Sequence, residues 1–145
     1  MLNKKIRIKQ NALAALLVSC LFLSFGVTTY AATSYYGFEL NYRVVDGKEN
    51  GEYHNLEAGT VYISGTHSVY SVDEGVITGT APIYYVLLRD QVGPDVNCGS
   101  IQCSINESPS GVLGTADKDS SKYYLQVYKV EDDGYNITGS GKIYN

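Results

Sequence analysis

Hydrophobic and polar positions alternate most regularly near the end of the chain, over residues 122–144. In the first half of this segment Tyr123, Leu125 and Val127 alternate with Tyr124, Gln126 and Tyr128. In the second half Tyr135, Ile137, Gly139, Gly141 and Ile143 alternate with Asn136, Thr138, Ser140, Lys142 and Tyr144. A period of two is typical of strands with one buried face. The segment therefore predicts a β-hairpin that closes the domain.

The residues between these two strands predict the register of the hairpin. A two-residue loop at Asp133-Gly134 would pair the apolar face of one strand with the polar face of the other. A three-residue loop pairs Glu131 with Tyr135 and brings the two apolar faces together. Asp132 and Asp133 suit a type I turn, and Gly134 is then expected to adopt a positive φ in a bulge. The pattern favours the longer loop.

Shorter segments of the same kind precede this hairpin. They predict a first strand with Tyr36, Phe38, Leu40, Tyr42 and Val44 on one face, and further strands at 59–64, 68–72, 76–80 and 111–115. Residues 83–88 form a continuous apolar run, which indicates a central strand covered on both faces. Residues 91–110 are interpreted as a loop, with room for one short strand. The pattern predicts one all-β domain over residues 32–145, an antiparallel sandwich or barrel of about seven to eight strands.

The first 31 residues have the three parts of a secretory signal peptide. Lys4, Lys5, Arg7 and Lys9 form a basic start, and residues 12–27 are mainly apolar. Small residues at Thr29 and Ala31 then suit cleavage after Ala31. The apolar run is short for a membrane span, which needs roughly 20 residues. We therefore expect a secreted protein that begins at Ala32.

One feature of this segment supports a lipid anchor instead of secretion. Residues 17–20, Leu-Val-Ser-Cys, resemble the lipobox of bacterial lipoproteins, whose cysteine becomes the lipidated N-terminus. That resemblance implies a chain anchored through Cys20. The apolar run continues after Cys20 with Leu21-Phe22-Leu23, whereas such lipoproteins turn polar there. Secretion is therefore the preferred expectation, with lipid anchoring as the alternative.

Removing residues 1–31 makes the remaining chain strongly acidic. Residues 32–145 contain seven Lys and Arg and fifteen Asp and Glu, so their formal net charge is 7 − 15 = −8. A nucleic-acid partner requires a basic surface, which this composition disfavours. It also disfavours the cationic attack on membranes that many toxic peptides use.

Cys98 and Cys103 are the two cysteines that remain after residue 31. In an oxidising compartment such a pair predicts a disulfide. The ring would be small, so we expect it to stabilise the fold by only about 2 kcal/mol. Their spacing is not C-x-x-C and no histidine lies nearby in sequence, which disfavours a redox or metal role.

The sequence contains no recognisable catalytic motif. His54 and His67 are not accompanied by a nucleophile or carboxylate at a suggestive spacing, and we expect both in loops or turns. The sequence therefore predicts a non-enzymatic protein without a cofactor. Asp117 and Asp119, in the run Asp117-Lys118-Asp119-Ser120, are candidates for a calcium site, because oxygen ligands at alternate positions suit that ion.

Tyrosine is the residue that points most directly to function, because thirteen of the fourteen tyrosines follow residue 31. In the predicted hairpin Tyr124, Tyr128 and Tyr144 share a polar face with Gln126. Amphipathic rings among short polar groups are typical of recognition surfaces. We therefore expect binding of a surface polymer or protein partner through this face. The alternative is a secreted antagonist, namely an antibacterial or toxin-like protein or an enzyme inhibitor.

Overall fold

The part of the chain that the structure describes is built from β-strands. The computed structural model of the protein describes residues 32–74 and 81–145. The strands are β1 (Thr33–Leu40), β2 (Val44–Asp46), β3 (His54–Leu56), β4 (Gly59–Val72), β5 (Ile83–Arg89), β6 (Val96–Cys103), β7 (Ser110–Ala116), β8 (Ser120–Lys129) and β9 (Tyr135–Tyr144). No helix long and apolar enough to cross a membrane occurs in these two ranges. The predicted signal segment and the predicted strand at 76–80 lie outside the described residues.

The strands form two antiparallel sheets in a β-sandwich-like arrangement. The first sheet has the order β1-β9-β4-β7, and the second has the order β2-β8-β5-β6, with β3 also paired to β8. Side chains from both sheets form one buried cluster, so the sheets share a core. The predicted all-β class is confirmed, and residues 32–74 and 81–145 alone form nine strands, where about seven to eight were expected for the domain.

The central strand predicted from the apolar run is also confirmed. β5 pairs with β8 on one side and with β6 on the other. Ile83, Tyr85 and Leu87 point into the core and are fully buried. Val86 points outward yet is only 7% exposed. Tyr84 and Leu88 on the same outer face are half-buried, so the strand is central in its sheet, with its inner face fully covered and its outer face partly covered.

The predicted closing hairpin is wrong. β8 belongs to the second sheet and pairs with β5, whereas β9 belongs to the first sheet and lies between β1 and β4. The segment after β8 therefore carries the chain from one sheet to the other. The alternation was assigned correctly, since Leu125 and Ile137 both face the core. Period-two alternation identifies the buried face of a strand but leaves its partner open, and here both strands found partners far away in sequence.

A buried ion pair stabilises the crossing between β8 and β9. Lys129 is 1% exposed and donates through Nζ to the Oδ1 of Asp133, which is 4% exposed, and to the carbonyl of Tyr135 at 2.7 Å. Gly134 has φ of 73°, so its predicted positive φ is confirmed although the hairpin is not formed. Gly134 here serves a turn between sheets.

Glycines make room for two aromatic rings on the inner face of the first sheet. Tyr36 lies opposite Gly141, and Phe38 lies opposite Gly139. A Cβ at Gly139 would lie 2.5 Å from the Phe38 ring, and one at Gly141 would lie 2.7 Å from the Tyr36 hydroxyl. Gly65 of β4 is next in this row, and its Cβ would also meet that hydroxyl. The separate strands predicted at 59–64 and 68–72 are therefore wrong, because Gly65 lies inside a single continuous strand, β4.

The predicted disulfide between Cys98 and Cys103 is not formed, and both residues are buried free thiols. Both lie on β6, where five residues of extended chain span roughly 16 Å. A disulfide requires Cα atoms within about 7 Å of each other. In a regular strand Cys98 and Cys103 would point to opposite faces of the sheet. A register shift at Cys98 in the pairing with β5 reverses the alternation, so both side chains face inward. The segment expected to be mainly loop thus contains an eight-residue strand.

Candidate functional site

The residues expected to form one binding face are divided between the two sheets. Tyr124, Gln126 and Tyr128 lie on the outer face of β8 in the second sheet, whereas Tyr144 lies on the outer face of β9 in the first. Tyr144 therefore does not share a surface with the other three. This separation follows directly from the absence of the hairpin.

Tyr124 has a structural role in the second sheet. Tyr124 is 3% exposed, and its hydroxyl donates to the Oδ2 of Asp95 at 2.7 Å. The ammonium group of Lys48 lies 2.8 Å from Asp90 and 2.9 Å from Asp95, so it bridges the two carboxylates. Burial, together with the hydrogen bond to Asp95, raises the pKa of Tyr124. These contacts join the turn after β2 to the turn after β5 and leave little of Tyr124 for a ligand.

Gln126 and Tyr128 are also partly used within the second sheet. The amide of Gln126 donates to the Oδ2 of Asp46 at 3.0 Å. The ring of Tyr128 stacks on Tyr84, with 5.0 Å between ring centroids and 11° between ring planes. Tyr128 and Gln126 nevertheless line an open groove with Val44. The outer face of the second sheet therefore offers half-buried tyrosines beside a shallow groove.

The outer face of the first sheet presents tyrosines more openly. Tyr144 stacks on Tyr62 of the neighbouring strand, with 5.6 Å between centroids and 19° between planes. Val112, 57% exposed, lies beyond Tyr62 in the same row. Tyr35 of β1 lies opposite Lys142, in the outward row next to that of Tyr144, and is 78% exposed. Lys142, which pairs with Tyr35 across the strands, places its Nζ 5.2 Å above the Tyr144 ring.

Short hydroxyl side chains occupy outward positions near these rings. We call this surface the first-sheet face, and its exposed or half-buried hydroxyl residues include Thr33, Ser64, Thr66, Ser110 and Ser140. Among the outward-pointing residues of β1, β9, β4 and β7, Glu39 and Lys142 carry the charges. The first-sheet face is thus nearly uncharged, although the whole chain has a formal net charge of −4.

Tyr35 and Tyr62 were not recognised from the sequence as candidate binding residues. Tyr35 precedes the first apolar position assigned to its strand, and Tyr62 lies in a short segment without an evident partner. The alternation around each could have marked it as outward-facing. Their meeting with Tyr144 depends on the pairing of β1 and β4 with β9, which joins residues far apart in sequence.

The two calcium candidates are occupied by contacts within the protein. Asp117 accepts hydrogen bonds from Arg89 Nε and Nη2, each at 2.7 Å, and from the Tyr123 hydroxyl at 2.9 Å. The bond from Arg89 lowers the pKa of Asp117. Asp119 accepts from the backbone N–H of Ala58 at 2.8 Å. Within residues 32–74 and 81–145, no group of three or more His, Cys, Asp or Glu is placed to hold a metal ion.

Both histidines lie on strands, contrary to the expectation of loops or turns. The Nε2 of His67 lies 3.1 Å from the carbonyl oxygen of Ser104, which can only accept. Nε2 therefore carries the proton in the neutral ring, and Nδ1 accepts from the Tyr85 hydroxyl at 2.8 Å. The Nδ1 of His54 lies 2.8 Å from Ser34 Oγ. Each ring thus connects neighbouring elements of the fold.

The comparisons with known proteins give the chain no family. Family models, curated proteins and solved structures were each compared with it, and none gives a significant match. The first-sheet face therefore has to be interpreted from its own geometry and chemistry.

Proposed function

We propose that the protein is a secreted, non-catalytic β-sandwich that binds a polymer or protein at a cell surface through its first-sheet face. The observation that carries this proposal is the group formed by Tyr35, Tyr62 and Tyr144, which three neighbouring strands present outward among hydroxyl side chains. Secretion is supported by the basic, apolar and small-residue parts of residues 1–31.

The composition of the first-sheet face resembles that of the central part of protein interfaces. Such regions are depleted in charged side chains and enriched in aromatic ones, because burying an unpaired charge is costly. Tyrosine contributes a large contact area while losing little side-chain entropy on binding. The second sheet offers less, since Tyr124 and Gln126 already bond to Asp95 and Asp46. This difference favours the first sheet as the binding surface.

A matched pair of tyrosine variants tests the proposal. Tyr35 on the first-sheet face is 78% exposed, and Tyr42, in the bend between β1 and β2, is 73% exposed. Tyr35→Ser and Tyr42→Ser therefore remove equally accessible rings, and both should preserve the melting temperature. We expect Tyr35→Ser to reduce retention on purified cell walls by about tenfold, because a few aromatic side chains usually dominate an interface. Tyr42→Ser should be retained like the parent protein.

Two results would contradict the proposal. One is equal retention of both variants, which would make the first-sheet face an ordinary sheet surface. The other is loss of retention with Tyr42→Ser alone, which would move the site to the bend. A growth-inhibition assay with the same variants tests the antagonist alternative, since an antagonist would inhibit susceptible cells and lose that activity with Tyr35→Ser.

A further inference from the structure

We infer that the ligand of the first-sheet face is an uncharged polysaccharide. This inference rests on the proposed binding role of that face and adds the chemical class of the ligand. It is carried by three properties of the face: its small number of charges, its rows of hydroxyl groups, and the arrangement of its tyrosines. Each of these is a property of described residues on β1, β9 and β4.

The charge distribution selects against a charged ligand. The chain contains 15 Asp and Glu, yet Glu39 is the one acid among the outward residues of the first sheet. A polycation would find its acidic partners elsewhere on the surface. A polyanion would meet a single ammonium group, Lys142, whose Nζ already lies over the ring of Tyr144. An uncharged ligand is therefore the electrostatic match for this face.

The hydroxyl groups of the face suit a ligand that both donates and accepts hydrogen bonds. Thr66 and Ser140 lie opposite each other on β4 and β9, and both are exposed. A hydroxyl donates one hydrogen bond and accepts others, and it rotates to suit its partner. Sugar hydroxyls have the same dual capacity, so each can exchange its contact with water for one with Ser or Thr. Apolar partners would instead leave these hydroxyls unpaired, at a free-energy cost.

The tyrosines supply the apolar contacts that a sugar ring needs. The stacked rings of Tyr62 and Tyr144 hold each other in place, which reduces the entropy lost when a ligand binds them. Tyr35 lies on β1, beyond Lys142 of β9, and is almost fully accessible. Because Tyr144 is stacked on Tyr62 and has the Nζ of Lys142 over its ring, the accessible aromatic contacts come from Tyr35 on β1 and Tyr62 on β4. These two rings would engage different residues of an extended polymer. Hydroxyl and aromatic contacts together favour a polysaccharide over a small sugar.

Affinity electrophoresis of the exported protein provides a direct test. Native gels containing hydroxyethyl cellulose, laminarin, galactomannan or dextran supply neutral polymers, and a gel containing polygalacturonate supplies an acidic one. We expect at least one neutral polymer to retard the protein, with the retardation unchanged at high salt because no counterions are released. Tyr35→Ser should weaken this retardation about tenfold, and Tyr42→Ser should not change it.

A second pair of variants separates a sugar ligand from an apolar one. Thr66→Val and Ser140→Ala remove a hydroxyl while nearly preserving shape, and Ser100→Ala makes the same change at an exposed serine of the second sheet. If the ligand is a polysaccharide, Thr66→Val and Ser140→Ala should each be retarded less than the parent protein. Ser100→Ala should be retarded like the parent. An apolar partner predicts equal or stronger binding by Thr66→Val.

Three results would overturn the inference. The first is retention on cell walls with no retardation by any neutral polymer, which would leave the proposed binding role standing but make its ligand something else. The second is retardation by polygalacturonate alone that disappears at high salt. The third is a concentration-dependent dimer in sedimentation that Tyr35→Ser dissociates, without neutral-polymer binding, which would make the face a contact between two copies.

Discussion

The Nδ1 atom of His54 lies 2.8 Å from the Oγ atom of Ser34, so a hydrogen bond joins β3 of the second sheet to β1 of the first. His54 is only 3% exposed, and burial lowers its pKa from 6.5 to about 4. The ring is therefore neutral in the folded protein near pH 7. Protonating it would place a charge inside the sandwich-like fold, which burial away from water opposes.

Acid should therefore destabilise the protein through His54. The unfolded chain takes up a proton at about pH 6.5 and the folded protein only at about pH 4, so unfolding binds protons between these values. Stability should be highest above pH 6.5 and fall progressively towards pH 4, by up to about 3 kcal/mol from this residue. Urea unfolding at a series of pH values measures this loss.

The control for the acid effect is His54→Gln. Glutamine can still hydrogen-bond to Ser34 but does not titrate, so its stability should change little between pH 6.5 and pH 4 beyond the contribution of the carboxylates. A variant with the same pH dependence as the parent would assign the acid sensitivity to other groups. The lowered carboxylate pKa values of Asp90, Asp95 and Asp117 add a further loss of stability on acidification, which begins at about pH 5 and lies mainly below pH 4.

The buried pair Lys129–Asp133 gives a second prediction. Lys129→Met leaves the carboxylate of Asp133 buried without its cation, and we expect the free energy of unfolding to fall by about 3–5 kcal/mol. Lys129→Met combined with Asp133→Asn removes both charges and should recover a large part of that loss. Denaturant unfolding of the parent, both single variants and the double variant forms a complete cycle. Additive losses would show that the two groups are not coupled.

The glycines beneath Tyr36 give a third prediction. A Cβ at Gly141 would lie 2.3 Å from the carbonyl oxygen of Ser64 and 2.6 Å from the Cα of Gly65, so backbone atoms would have to move. We expect Gly141→Ala to destabilise the protein by more than about 2 kcal/mol, because overpacking forces strain into the sheet. Thermal unfolding measures the change.

Gly37→Ala is the matched control for that variant. Gly37 lies in β1 on the outer face, and a Cβ there would approach nothing more closely than the carbonyl oxygen of Gly139, at 3.9 Å. Its stability should be unchanged or slightly increased, since alanine restricts the unfolded chain more than glycine does. Equal effects of the two substitutions would show that Gly141 is not selected for space.

The cysteines give a fourth prediction, which reverses the expectation from the sequence. Cys98 and Cys103 should remain thiols, so a reducing agent should leave the melting temperature unchanged. Burial raises the pKa of both thiols, and reaction with a thiol reagent should therefore be slow in the native protein and complete after denaturation. An intact mass two hydrogens lower before reduction would instead demonstrate the disulfide and a different course for β6.

The sequence alone determined the class of fold and much of the inward or outward assignment. Leu125, Val127, Ile137 and Ile143 all face the core as their alternation predicted, and the run at residues 83–88 is the central strand. These features are local. A strand with one buried face must alternate apolar and polar residues, whereas a strand covered on both faces need not. The positive φ of Gly134 was also predicted correctly, since it is a property of the turn that contains this residue.

Only the tertiary structure decided which strands are neighbours. Their closeness in sequence suggested that β8 and β9 pair, but the two strands enter different sheets, and the ion pair of Lys129 and Asp133 lies where the chain crosses from one sheet to the other. That choice separated Tyr144 from Tyr128 and joined it to Tyr62 instead. The first-sheet face could therefore not be predicted from the sequence. It depends on the pairing of strands far apart in the chain, and the local alternation of apolar and polar residues does not specify that pairing.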